Sequence, residues 1–120
     1  MHLNHLNLPV PDVPRTREFM ETYFGFQTVL DKGDSFAILA DESGFILNLS
    51  NFGKATEVVY PGAFHIGFLQ ESRERVDEIH QRLVAGGFEV PPVKDFHGAW
   101  TFYIRAPGGF LVEVLHQYRK

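Results

Sequence analysis

The chain has 120 residues, a mass of 13.7 kDa and a formal net charge of −4. Its 44% hydrophobic content, with twelve Phe, four Tyr and one Trp, supplies a core and argues against disorder. The acidic balance gives no basic surface for nucleic acid or an anionic membrane, and the absence of cysteine removes disulfides, thiolate zinc sites and cysteine nucleophiles. No apolar run approaches the roughly 20 residues needed to span a bilayer. The opening MHLNHLNLPV lacks the basic start and apolar core of a signal peptide, so a cytoplasmic protein is expected.

In chain order, Leu6, Leu8 and Val10 alternate as in a half-buried strand, which leaves His5 and Asn7 on the other face. Asp12 is a suitable helix N-cap, Pro14 is tolerated in a first turn, and Gly25 ends the helix. Strands are expected near 27–31, 35–40 and 45–50. The Gly- and Pro-containing stretch NFGKATEVVYPG then reads as a connector over about 53–61.

The same order of signals follows again. Phe64, Ile66 and Phe68 alternate, with His65 and Gly67 opposite. A second helix is capped by Ser72, carries the stripe Val76, Ile79, Leu83 and Val84, and stops at Gly86-Gly87. Strands are expected near 88–90, 99–105 and 110–116. Pro107-Gly108-Gly109 is read as a hairpin turn, since no phosphate-cradling pattern accompanies it. Two copies at a period of roughly 60 residues are too few and too long for a solenoid. The chain is therefore expected to be one α+β domain of two βαβββ modules, about 1–52 and 62–120. Phe24, Phe26, Phe64, Phe68, Phe88 and Phe110 are expected to pack helix on sheet rather than form a substrate pocket.

Candidate chemistry follows from the repeat. His5 and His65 occupy equivalent first-strand positions, and Glu113 lies in the last strand with Leu111 and Leu115 as same-face neighbours. Aligned on Gly44-Phe45 and Gly109-Phe110, the counterpart of Glu113 is Asn48. A carboxylate among leucines needs a neutralising partner. A divalent cation held by His5, His65 and Glu113 would provide one and leave further positions open. The competing accounts are an ion pair of Glu113 with Arg105 or Arg119, and ordinary hydrogen-bonded strand histidines. His2 is too close to the terminus to compete well with His5, and His80 is expected to be solvated on its helix. Tyr103, in the strand pairing with that of Glu113, and His97, in the loop DFHG, are the candidates for hydrogen bonding and proton transfer.

The segments NHLNLPVPDV, FHIGF and FYIRAPGGFLVEVLH resemble those of the vicinal oxygen chelate superfamily. It includes glyoxalase I, extradiol dioxygenases, and the fosfomycin- and bleomycin-resistance proteins. The resemblance implies paired βαβββ modules and a metal held by His5, His65 and Glu113. The ion would be Fe(II) or Mn(II) ahead of Ni(II) or Zn(II). It further implies a small substrate with vicinal oxygens, dioxygenase or lyase/isomerase chemistry, and a homodimer. Asn48 stands where glyoxalase I usually carries a further ligand, which weakens that assignment. The alternatives are a fosfomycin-type thiol transferase, a bleomycin-type sequestering protein with a groove of Phe96, Trp100 and Phe102, and a catalytically inert member of the family.

Overall fold

A computed structural model describes residues 1–118 of the chain. The residues form two compact units, Met1–Tyr60 with Pro107–Gly109, and Pro61–Ala106 with the residues from Phe110 onward. Each unit is a four-stranded sheet with one helix, and the element order is βαβββ in both. The α+β class expected from the sequence is the one observed.

In the first unit the elements are β1 (His5–Pro9), α1 (Val13–Phe24), β2 (Gln27–Asp31), β3 (Phe36–Ala40) and β4 (Ile46–Ser50). The sheet order is β1-β4-β3-β2, with β1 parallel to β4 and the other neighbours antiparallel. Asp12 caps α1 by accepting a hydrogen bond from the Arg15 N–H at 3.0 Å, and Pro14 falls in the first turn. Gly25 ends the helix in the left-handed region at φ 72°, where a side chain would be strained. Loss of the Asp12 cap would cost about 1 kcal/mol. The buried layer joins Val13, Phe19 and Met20 of α1 to Leu8, Ala37, Leu39, Leu47 and Leu49 of the sheet. Edge strand β2 carries a register shift between Thr28 and Leu30, and Val29 and Leu30 are exposed there.

The second unit has β5 (His65–Leu69), α2 (Arg73–Ala85), β6 (Lys94–Phe96), β7 (Ala99–Arg105) and β8 (Leu111–Gln117), in the order β5-β8-β7-β6. Ser72 caps α2 by accepting from the Arg75 N–H at 3.1 Å. Val76, Ile79 and Leu83 are buried with Phe102, Ile104, Val112 and Val114, while Val84 is exposed. The hairpin between β7 and β8 turns through Pro107-Gly108-Gly109 and closes with Ala106 N–H donating to the Phe110 carbonyl at 2.9 Å.

Two expectations need correction. The strand expected at 88–90 is absent, and β6 forms instead at Lys94–Phe96. Pro91 and Pro92 lack N–H donors, so the pairing segment begins only beyond them. Of the phenylalanines expected in the core, Phe26 and Phe110 are buried, whereas Phe24, Phe64, Phe68 and Phe88 are half-buried. Phe19 and Phe102 complete the buried set.

Candidate functional site

Residues directly opposite in a sheet share a face, so the registers define what each face carries. In the second unit α2 covers the face bearing Phe102, Ile104, Val112 and Val114. Trp100 is anchored there, its indole N–H donating to Asp77 of α2 at 2.9 Å. The other face carries His65 and Gly67 of β5, Leu111, Glu113 and Leu115 of β8, and Thr101 and Tyr103 of β7.

Glu113 is the centre of a cluster on this face. His65 Nε2 lies 3.4 Å from Glu113 Oε1, and the carboxylate side chain is only 13% exposed, so its charge needs a partner. Thr101 Oγ1 is 2.8 Å from Glu113 Oε2. Tyr103, directly across the ladder, donates its hydroxyl to the same carboxylate. Its ring meets the His65 ring edge-on at 5.7 Å. Burial, the Glu113 charge and that hydrogen bond all raise the Tyr103 phenol above its ordinary value. At neutral pH Tyr103 is therefore a protonated donor.

The tautomer of His65 is fixed by its backbone. Nδ1 lies 3.0 Å from the Ala63 carbonyl, which can only accept, so Nδ1 carries the proton. A neutral ring then presents the Nε2 lone pair towards the Glu113 carboxylate, an arrangement that favours a positive charge between them. Donation of the other ring N–H to a backbone carbonyl is the usual support of a metal-ligating histidine. First-row metal bonds of about 2.0–2.2 Å place neighbouring donors roughly 3.0–3.4 Å apart. The observed separation of 3.4 Å fits.

His5 has a side-chain contact in place of that backbone support in the first unit. It lies on the exposed face of β1, with Nδ1 2.7 Å from the Asn4 side-chain oxygen. With the proton on Nδ1, Nε2 is again free as a donor. Asn48 takes the register position of Glu113, facing Asn7 and Ile38 where Glu113 faces Gly67 and Tyr103. Its side-chain oxygen is buried and accepts no hydrogen bond from any described residue. Among the described residues no three His, Asp or Glu side chains form a ready cation group, so the second unit brings together two such donors, His65 and Glu113.

The structure brings Tyr103 to this cluster and leaves His97 apart from it. His97 occupies the β6–β7 turn at φ 52°, with its ring 3.8 Å from that of Phe96. Along β7, the step from Ala99 to Tyr103 spans roughly 13 Å. His80, expected to be solvated, is half-buried instead. Its Nε2 is 2.9 Å from the Pro91 carbonyl, and its ring meets Phe102 edge-on at 5.1 Å. His116 Nδ1 is 3.1 Å from the Gln70 carbonyl, on the face away from Glu113. Phe96, Trp100 and Phe102 do not share a surface: Phe96 pairs with Ala99 and so stands on the opposite face of the sheet from Trp100 and Phe102, with Phe102 in the core beneath α2. Arg119, considered as a partner of Glu113, lies outside the described residues. Thr101 had no signal of its own in the sequence beyond sharing a strand face with Tyr103.

The family model for the Glyoxalase/Bleomycin resistance protein/Dioxygenase superfamily matches residues 2–114. An uncharacterized protein of Pseudomonas aeruginosa is 30% identical over 119 residues, covering 92% of this chain and 85% of that protein. The solved structure of a "possible Glyoxalase" from Bacillus cereus is 52% identical, with a TM-score of 0.87 over 96% of this chain and 98% of the other. A fosfomycin resistance protein from Listeria monocytogenes, 24% identical, shares the fold with a TM-score of 0.76 over 97% and 93% of the two chains. A lactoylglutathione lyase from Agrobacterium tumefaciens, 21% identical, does so with a TM-score of 0.78 over 96% and 92%. With two βαβββ units and a family match along nearly its whole length, the chain belongs to the Glyoxalase/Bleomycin resistance protein/Dioxygenase superfamily.

Proposed function

We propose that the protein is an enzyme dependent on a divalent metal, acting on a small substrate with adjacent oxygen atoms. The observation that carries this reading is the His65 ring, held through Nδ1 by the Ala63 carbonyl with its Nε2 set 3.4 Å from the Glu113 carboxylate. His65 and Glu113 would hold the ion. The repeat nominates His5 as the third donor, supported by its own Nδ1 hydrogen bond to Asn4. Two imidazoles and one carboxylate suit Fe(II) or Mn(II), and Ni(II) or Zn(II) after them. Such an ion supplies Lewis-acid chemistry and a template for vicinal oxygens, which serves either ring or C–C cleavage or an isomerase/lyase reaction.

The protein's own groups have separable roles. Glu113 supplies the negative charge, and His65 is oriented by its backbone hydrogen bond. Tyr103 keeps its proton at neutral pH and offers it as a hydrogen-bond donor beside the carboxylate. Lys94 pairs with Thr101 across the β6–β7 ladder, and Arg105 shares the same strand face as Tyr103. These cations support a second reading within the same class, in which the substrate carries an acid group, as a thiol transferase acting on a phosphonate would require.

Mn(II) titration of untagged protein tests the proposal. About one ion should bind per chain, and His65→Ala and Glu113→Ala should each weaken binding by more than about 100-fold. His5→Ala should have an effect of similar size. Failure of the parent protein to bind Mn(II) or Fe(II) under anaerobic loading would reject the proposal. Oxygen uptake with simple catechols, beside a thiol–methylglyoxal assay, separates the two reaction types.

A further inference from the structure

Thr101 is fully buried, with Lys94 as its partner in β6 and Glu113 within hydrogen-bond reach on the same face. Its hydroxyl oxygen is 2.8 Å from Glu113 Oε2 and 2.9 Å from the Val114 carbonyl. The hydroxyl has one proton for these two acceptors. A bond to an ionised carboxylate is charge-assisted and the stronger of the two. The two carboxylate oxygens are thereby made unequal. Oε2 is held by a buried, β-branched residue whose χ1 is stiff, and Oε1 is left facing His65 Nε2.

We propose that Thr101 is a positioning residue that reserves Glu113 Oε1 for a cation by holding Oε2, so that the carboxylate ligates through one oxygen. The proposal rests on the cation reading above and adds which oxygen binds and what fixes it. Tyr103 cannot substitute for Thr101, because it approaches the carboxylate from directly across the ladder, whereas Thr101 pairs with Leu115 and reaches Glu113 diagonally. In the first unit the equivalent of Thr101 is Phe36, which pairs with Ser50 and has no hydroxyl to give. The device therefore belongs to the second unit alone.

The test compares Thr101→Val, which keeps the shape and deletes the donor, with Thr101→Ser, which keeps the donor. Mn(II) affinity is read by titration of the full chain, and Co(II) visible absorption reports the coordination geometry. Thr101→Val should bind Mn(II) about 10–100-fold more weakly and shift the Co(II) bands, while Thr101→Ser should stay within about threefold of the parent. If Thr101→Val does not fold, Thr101→Cys, with a weak S–H donor, should show a loss in the same direction. Thr101→Val with parental affinity and Co(II) bands would overturn the proposal even if its melting temperature fell, since a purely structural role predicts that result. In that case His65→Ala would still lose the ion and the cation reading would stand. A parent protein that binds no metal would overturn both.

Discussion

The two units build the same topology with their large side chains exchanged between helix and sheet. In the first, α1 supplies the bulk through Phe19 and Met20, and the β3 position beneath it is Ala37. In the second, α2 offers only Val76, Ile79 and Leu83, and the equivalent β7 position is Phe102. The registers make Ala37 and Phe102 counterparts, since they oppose Leu49 and Val114 at matching places in their ladders. Packing density is therefore met in each unit by a different division of volume. The opposite faces differ in kind as well. Glu113, Tyr103 and Thr101 stand where the first unit has Asn48, Ile38 and Phe36, and only the histidines at 5 and 65 are common to both. A repeated scaffold thus carries an unrepeated charge, and the second unit is where chemistry concentrates.

The volume exchange gives the largest effects. Phe102→Ala should cost about 3–5 kcal/mol, because α2 carries no Phe, Tyr or Trp to fill the space and the edge contact of His80 is lost. Ala37→Phe should cost about 1–3 kcal/mol by overpacking against Phe19 and Met20. Both are measured by urea unfolding of the full chain. Equal and small effects would mean that the two units do not divide their volume as described.

Asn48 offers a sharper and smaller contrast with Glu113. Its buried oxygen lacks a hydrogen-bond donor among the described residues, whereas Glu113 is met by Thr101, Tyr103 and His65. An unsatisfied buried amide is destabilising, so Asn48→Leu should stabilise the protein by about 1 kcal/mol and raise the melting temperature by roughly 4 °C. The same measurement on Glu113→Leu should show a loss instead, since Tyr103 would be left without its carboxylate acceptor and Thr101 would keep only the Val114 carbonyl.

The repeat made most of the scaffold legible, because alternation at residues 6–10 and 64–68 and the caps at Asp12, Ser72 and Gly25 act locally. The equivalence of His5 with His65, and of Asn48 with Glu113, followed from the same alignment and agrees with the strand registers. Less was legible where pairing depends on distant partners. Residues 88–90 have a strand-like composition, yet the Pro91-Pro92 pair moves the edge strand to 94–96. His80 looks like a solvent-facing helix residue until the loop at Pro91 folds back to meet it. Thr101 reads as a generic β-branched strand residue. Its role emerges only from the diagonal contact with Glu113, which the Tyr103–Glu113 register creates. Pattern alone offers both His97 and Tyr103 for proton transfer, and the register separates them by setting His97 beyond the far end of β7.

The smallest predicted effect separates Tyr103 from its counterpart Ile38, which has nothing to titrate. Burial first, then the charge and hydrogen bond of Glu113, hold the Tyr103 phenol above its usual value near 10. Burial also raises Tyr60, whose hydroxyl donates to the Pro9 carbonyl. Ultraviolet titration should therefore show Tyr103 and Tyr60 ionising later than ordinary tyrosines, and Tyr103→Phe should remove one late-ionising phenol. A raised phenol means that the folded state holds its proton more tightly than the unfolded chain. The associated stability is complete below the unfolded value and declines as pH rises through the folded one. The parent should accordingly lose its advantage over Tyr103→Phe only above about pH 10. Glu113→Gln should lower the Tyr103 titration without restoring it fully, because the burial contribution stays. A Tyr103 titration unmoved by that substitution would show that the phenol does not sense the carboxylate, and would detach it from the cluster around Glu113.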